Sequence, residues 1–90
     1  MEKTIITVVG QDRVGIIFNV CKYLAENNIN ILDISQTIVD GWFNMMMVTD
    51  ASASPKTSDQ IADNMEALGK EMGLSIRCMH EQIFNAMHRI

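Results

Sequence analysis

The pair Asp40-Gly41 separates two strand-like runs, and this pair constrains the fold more than any other feature of the sequence. Both central residues of a two-residue hairpin turn need a positive φ angle, which Asp and Gly adopt more readily than most residues. The flanking runs, residues 30–39 and 42–49, are rich in apolar and β-branched side chains. We therefore predict that these runs, named β2 and β3, are antiparallel neighbours in one sheet.

The segment before this hairpin predicts a strand and then a helix. Residues 3–10 are dominated by β-branched side chains and end at a glycine, which predicts a largely buried strand, β1. Apolar residues then recur at helical spacing and predict a helix, α1, which the pair Asn27-Asn28 ends. The apolar positions of this helix are Ile17, Val20, Cys21 and Leu24.

The segment after the hairpin predicts a second helix and a fourth strand. Residues 50–56 are small and polar and include the single proline, so they indicate a loop. Thr57 and Gln60 have the spacing of a capping box, which predicts the start of helix α2, and Gly73 is expected to end it. Residues 74–79 alternate between apolar and other side chains, which predicts a half-buried strand, β4.

The predicted order βαββαβ is typical of the α+β, ferredoxin-like sandwich, a four-stranded antiparallel sheet with two helices on one face. The 90 residues are expected to form a single domain, 1–90, with the βαββαβ core in residues 1–80. Residues 81–90 have apolar side chains at helical spacing and predict a short C-terminal helix. A helix of about ten residues is marginal in water, so it must dock on the rest of the protein.

Charge and hydropathy limit the classes of partner. The net charge is -4, with 7 Lys and Arg against 11 Asp and Glu, which argues against a nucleic-acid or anionic-membrane partner. No run approaches the roughly 18 apolar residues of a membrane span, and the chain enters β1 without a signal peptide. A cytoplasmic location is therefore expected.

Neither a metal site nor a catalytic site is indicated. Cys21 and Cys78 are far apart and lack ligand spacing, so we expect two buried thiols. His80 and His88 flank no metal-binding motif, and no Ser-His-Asp or Cys-His arrangement is evident. The sequence thus predicts a protein that is not an enzyme and that uses no cofactor.

The run Met45-Met46-Met47 follows two aromatic residues, Trp42 and Phe43. Consecutive strand residues point to opposite faces, so this run predicts core and interface packing rather than a thioether metal site. RNA-binding domains of the same element order carry aromatics on β3, but they also need a basic residue there, and β3 has none.

The segment GQDRVG, residues 10–15, joins β1 to α1 and offers a place for a small anion. Its glycines allow close backbone approach, and the first amides of a helix are unpaired donors at the positive end of the dipole. It does not match the glycine-rich fingerprints of dinucleotide or triphosphate sites. An alternative remains open, in which Asp12 is a plain N-cap of α1 and the glycines only form a tight turn.

The segment GQDRVGI, residues 10–16, followed by α1 and then NINI, residues 28–31, resembles the ACT domain, a regulatory module that commonly binds amino acids. The resemblance covers essentially the whole chain. It is closest to the small stand-alone ACT-domain proteins of bacteria and archaea, which have similar counterparts to DISQT, residues 33–37, and to FNAMHRI, residues 84–90. Gly10 stands where serine-sensing members have His, and Val14 stands where Pro is usual.

The resemblance implies a ligand site between two subunits. In ligand-binding ACT domains the β1–α1 loop of one subunit meets the start of β2 of its partner. The ligand's ammonium group would lie at Asp12 and its carboxylate at the start of α1, while Asn30 would offer a donor and an acceptor. The implied ligand-binding residues are Asp12, Arg13, Val14, Gly15, Ile16, Asn30 and Ile31.

Strand β2 also predicts a homodimer. It is expected at an edge of the sheet, yet it contains no Pro or Lys and only one charge, Asp33, so it lacks the usual protection against pairing. Two copies joined along β2 would form an eight-stranded sheet. The leading interpretation is a homodimeric amino-acid sensor that acts through a separate protein partner. The alternative is a ligand-free interaction module in which the loop is only a helix cap.

Overall fold

The structure is a computed structural model, and it describes residues 3–87 of the chain. The element order is βαββαβ followed by a third helix, as the sequence predicts. The elements are β1 (Lys3–Gln11), α1 (Ile16–Glu26), β2 (Asn30–Val39), β3 (Trp42–Asp50), α2 (Ser58–Met72), β4 (Ser75–His80) and α3 (Glu81–Met87).

The four strands form one antiparallel sheet in the order β2-β3-β1-β4. This is the predicted ferredoxin-like arrangement, and the fold prediction is confirmed. Strands β2 and β4 are the two outer strands, so each has one row of backbone groups that no other strand within residues 3–87 pairs with.

The β2–β3 hairpin has the predicted two-residue turn. Asp40 has a φ angle of 51° and Gly41 one of 79°, as a turn of this kind requires. Val39 and Trp42 are directly opposite each other across the turn. The local sequence therefore sets the register of this hairpin.

The core lies between the two long helices and one face of the sheet. Helix α1 buries Ile16, Val20 and Leu24, which are one turn apart. Helix α2 comes very near the sheet at Gly69, where an added Cβ would lie 2.8 Å from the carbonyl oxygen of Leu74. The sheet contributes β-branched, methionine and phenylalanine side chains that point to this face: Ile6, Val8, Phe43, Met45, Met47 and Ile76.

Helix α2 begins and ends where the sequence predicts. The amide of Gln60 donates to Thr57 Oγ1 at 3.2 Å, and the amide of Thr57 donates to Gln60 Oε1 at 2.9 Å. This reciprocal pair satisfies two of the otherwise unpaired amides at the helix start. At the other end Gly73 has a φ angle of 70°, the left-handed conformation that closes many helices.

Helix α3 contacts β1 and β4 of its own chain. Ile5 is buried although its side chain points away from α1 and α2, and its direct strand neighbour Met79 is half-buried. We attribute this burial to α3, which therefore lies on the second face of the sheet. Residues 88–90 of the predicted helix lie outside the described residues.

Strand β2 contains an irregularity that the sequence analysis does not predict. Ile31 pairs with Thr49 and Asp33 pairs with Val48, so Leu32 is an extra residue in the ladder. Such a bulge twists an edge strand and limits the stretch that can pair further. The bulge therefore limits pairing at the first residues of this edge, a protection that the residue types of β2 did not indicate.

Candidate functional site

The β1–α1 loop is attached to the tip of the β2–β3 hairpin. The amide of Asp12 donates a hydrogen bond of 2.9 Å to the carbonyl oxygen of Gly41. Gly10, just before the loop, allows the buried Leu74 to pack there, because a Cβ at Gly10 would lie 2.4 Å from Leu74 Cδ2. The loop backbone is thus held from two sides before α1 begins.

The start of α1 has no side-chain cap. Its N-cap residue is Gly15, with a φ angle of 92°, and no side chain accepts a hydrogen bond from the first turn. The Asn19 amide group instead donates to the Gly15 carbonyl oxygen at 2.7 Å. The alternative in which Asp12 caps α1 is therefore wrong, and the first amides of this helix remain available as donors.

The carboxylate of Asp12 is exposed and makes no hydrogen bond or ion pair with any other residue in the range 3–87. Near it the loop presents Val14, whose side chain is fully exposed, while Ile16 is buried in the core. The loop therefore offers the Asp12 carboxylate, which can accept hydrogen bonds, and the first amides of α1, which can donate them. Such a pair is complementary to a small zwitterion.

Arg13 has a partner that its predicted role did not include. Its Nη1 atom donates a hydrogen bond to the carbonyl oxygen of Met72, the last residue of α2. A guanidinium at this position neutralises part of the negative end of the helix dipole. No local pattern signals this contact, because the two residues are 59 positions apart.

Asn30 and Ile31 do not meet Asp12 within one copy of the chain. Asn30 pairs with Asp50 at one end of β3, while Trp42 at the other end follows the turn that binds Asp12. Strand β3 has 9 residues, so at about 3.3 Å per residue these ends lie roughly 25 to 30 Å apart. Asn30 is exposed and Ile31 is half-buried.

A polar groove between α1 and α2 was missed by the sequence analysis. Asn64 Nδ2 donates to the Tyr23 hydroxyl at 2.9 Å, and Lys56 Nζ lies 5.3 Å from the centroid of the Tyr23 ring. These three side chains come from α1, α2 and the loop before α2, so no short spacing could have indicated them. They connect the two helices at their solvent side.

The remaining reactive side chains do not form a centre in the described part of the chain. Among residues 3–87, no three His, Cys, Asp or Glu side chains are placed to hold a metal ion. Cys21 and Cys78 are only half-buried, and burial raises the pKa of Cys78 to about 12. His80 Nδ1 accepts from the Gln82 amide at 3.3 Å, whereas His88 lies outside this range.

No helix within residues 3–87 has the length and apolar character needed to cross a membrane. The methionine run behaves as the strand period predicts, since Met45 and Met47 are in the core and Met46 points to the opposite face.

A comparison with known protein families shows to which family this chain belongs. The sequence profile of the ACT domain matches residues 2–79. The chain belongs to the ACT-domain family. The match includes both the β1–α1 loop and the start of β2 of this ACT domain.

Relatives of this ACT-domain protein occur in bacteria and in archaea. A UPF0237 protein of Bifidobacterium longum is 57% identical over 90 residues, which is 100% of both chains. A UPF0237 protein of Methanocaldococcus jannaschii is 46% identical, again over 100% of both chains. Among solved structures, an ACT domain protein from Streptococcus pneumoniae superposes with a TM-score of 0.82 at 38% identity, over 97% of this chain and 98% of that one. The resemblance to stand-alone ACT-domain proteins is confirmed.

Proposed function

We propose that this ACT-domain protein is a homodimeric regulator that binds an amino acid or a related small metabolite between two copies of the chain. The observation that carries the proposal is the uncapped start of α1, three residues after an Asp12 carboxylate that has no partner within the described residues 3–87. The residues assigned to the site are Asp12, Arg13, Val14, Gly15 and Ile16 of one copy, with Asn30 and Ile31 of the second copy.

The chemistry of these groups suits an α-amino acid. The first amides of α1 would donate to the ligand carboxylate, where the helix dipole adds a favourable field. Asp12 would accept from the ligand ammonium, and the Asn30 side chain of the second copy would offer both a donor and an acceptor. In this arrangement Arg13 acts indirectly, by holding the loop against the end of α2.

Antiparallel pairing of two β2 strands would complete the site. It would place the start of one β2 beside the end of the other, which leads into the turn that binds Asp12. The bulge at Leu32 leaves the regular ladder of residues 33–39 for this pairing. Asn30 of the second copy would then lie beyond that ladder, next to the hairpin tip.

Exposed apolar side chains support the same pairing. The β2 side chains that share a face with the core, Ile34 and Ile38, are 43% and 59% exposed. On α1, the residues directed towards α2 are Asn19, Lys22, Tyr23 and Glu26, which line the groove between the helices. The periodicity of the helix then places Ile17 and Cys21 on the opposite flank, above β2. A second copy would cover this apolar edge.

The proposed output is a change in association with a separate protein, in the cytoplasm, rather than a reaction. No nucleophile lies beside a base at this site, which favours binding over catalysis. The ligand-free alternative is weakened by the absence of a cap at Gly15, because an uncapped helix start leaves donors for another molecule.

A thermal-shift screen against the common amino acids tests this proposal. A ligand at about 100 times its dissociation constant should stabilise the dimer by about 2.7 kcal/mol. Asp12→Ala and Asn30→Ala should abolish the shift, while Asp63→Ala, an exposed carboxylate on α2, should keep it. No shift with any amino acid at millimolar concentration would contradict ligand binding, and light scattering that shows only monomer would contradict the shared site.

A further inference from the structure

Strand β4 is the second outer strand of the sheet, and it is bordered by a groove. One side of β4 pairs with β1, and among residues 3–87 no strand pairs with the backbone groups on its other side. Beside this edge, between α2 and β4, lies a groove of about 540 Å³. Backbone groups along an open edge together with a side-chain groove are the two features that strand addition requires.

The groove has an apolar floor and a polar rim. Its floor is formed by Ala62 of α2 with Ile76 and Cys78 of β4, whose side chains point to the helix side of the sheet. Its rim carries Glu66 and Lys70, an exposed ion pair of 3.6 Å along α2. Next to the groove, α2 lies so near β4 that a Cβ at Gly69 would be 3.1 Å from Ile76 Cγ1, so small apolar side chains suit this end of the groove.

The opposite face of β4 carries one uncompensated positive charge. Arg77 is exposed, and its guanidinium forms no ion pair or hydrogen bond with any other described residue. The chain as a whole has a net charge of -4, so the positive charge of Arg77 is opposite in sign to the net charge of the protein. An acidic side chain directly across from Arg77 in an added strand would form a favourable cross-strand pair.

We propose that the open edge of β4 binds an extended segment of a partner protein as a fifth strand. The segment has the pattern small apolar, acidic, small apolar. Its two apolar side chains enter the groove opposite Ile76 and Cys78, and its acidic side chain lies opposite Arg77 on the other face. Backbone hydrogen bonds supply affinity, and the groove and Arg77 supply selectivity.

A second copy of this chain is a poorer occupant of the same edge. In an antiparallel β4–β4 pair centred on Arg77, the two guanidinium groups would lie directly opposite each other, which is destabilising. Pairing through both β2 and β4 would also allow the sheet to grow beyond a closed dimer. The charge of Arg77 thus disfavours self-pairing and favours an acidic segment.

A synthetic heptapeptide tests this inference directly. The probe has the order Ser-Thr-Val-Glu-Val-Thr-Ser, with an acetylated start and an amidated end, and it is titrated into ¹⁵N-labelled full-length protein. We expect the largest amide shifts in β4 and along residues 62–70 of α2. Arg77→Glu should weaken binding by about fivefold, and a probe with Lys in place of Glu should recover the loss.

Two controls make the result specific. Lys22→Glu reverses an exposed charge on α1, far from β4, and should leave the affinity for the probe unchanged. A probe that is N-methylated at alternate residues cannot make the strand hydrogen bonds and should not bind. Circular dichroism of Arg77→Glu verifies that the variant is folded.

Three outcomes would overturn the inference: no shift in β4 at millimolar probe, equal affinity for the Glu and Lys probes, or light scattering that shows growth beyond the dimer in the absence of the probe and is suppressed by adding it. The last outcome would assign the edge to a second copy. The inference goes beyond the proposed amino-acid site, and the amino-acid screen can succeed or fail without affecting it.

Discussion

The amide of Asp12 and the carbonyl of Gly41 are joined by a hydrogen bond of 2.9 Å, so the proposed ligand loop and the hairpin tip have one fixed relative position. The turn at Asp40 and Gly41 is thus more than a connection between two strands. It sets where the carboxylate of Asp12 stands relative to the end of β2.

Gly41→Ala should destabilise the protein through its backbone conformation alone. Gly41 has a φ angle of 79°, and an added Cβ would meet no atom within 4 Å. The expected loss is about 1 to 2 kcal/mol in the free energy of unfolding, measured by urea denaturation. Gly10→Ala is the matched comparison, since its Cβ would meet Leu74 at 2.4 Å and its cost is steric. An unchanged stability of Gly41→Ala would show that the turn adopts another conformation.

Arg13→Ala should lower the stability of the end of α2. It removes the donor to the Met72 carbonyl, and because Arg13 is exposed we expect a loss of about 1 kcal/mol or less. Hydrogen exchange should report faster exchange of the amides at residues 70–74. Lys22→Ala, which removes another exposed cation, should have no such effect. Unaltered exchange in Arg13→Ala would rule out this contact as a stabilising one.

Cys78 should make the stability fall in strongly alkaline solution. Burial raises the pKa of this thiol from 9.0 to about 12 in the folded state. Because the pKa of Cys78 is higher in the folded state than in the unfolded state, folding keeps this thiol protonated to a higher pH. The free energy of unfolding is therefore unaffected by Cys78 below pH 9 and falls as the pH rises from 9 to 12. Cys78→Ala should remove this part of the pH dependence. Urea denaturation of both proteins between pH 8 and pH 11 measures the difference, and parallel curves would contradict the burial of Cys78.

Ile38→Lys should separate the proposed dimer without unfolding the monomer. The Ile38 side chain is 59% exposed in a single copy. Its replacement by Lys would remove an apolar contact between the two copies and introduce a charge at the paired edge. We expect association to weaken by about tenfold or more, measured by analytical ultracentrifugation. Met46→Lys, an exposed position on the other face of the sheet, is the control. A dimer that survives Ile38→Lys would place the interface elsewhere.

Local sequence patterns predicted the elements of this fold well. The bounds of β2, Asn30–Val39, follow from the asparagine before the strand and the turn after it. The capping box of Thr57 and Gln60 and the positive φ angles at the hairpin also depend on neighbours in the sequence. Short-range interactions of this kind are encoded within a few residues, so one sequence is enough to identify them.

Contacts between distant segments were not predictable in the same way. The hydrogen bond from Arg13 to Met72 depends on how α2 packs, and an arginine in a loop gives no sign of its acceptor. The extra residue at Leu32 arises from the register against β3, which periodicity does not determine. Asp12 has the residue type of an N-cap, yet Gly15 takes that position, while the Asp12 amide bonds the hairpin tip at Gly41.

The contact between Arg13 and Met72 links the β1–α1 loop to the turn before β4. A loop movement large enough to break this hydrogen bond would leave the last carbonyls of α2 with one donor fewer. Gly73 and Leu74 follow directly, and they lead into the strand whose outer edge we assign to a peptide. A rearrangement around Asp12 that breaks this contact is therefore expected to disturb the adjoining segment at the entrance to β4.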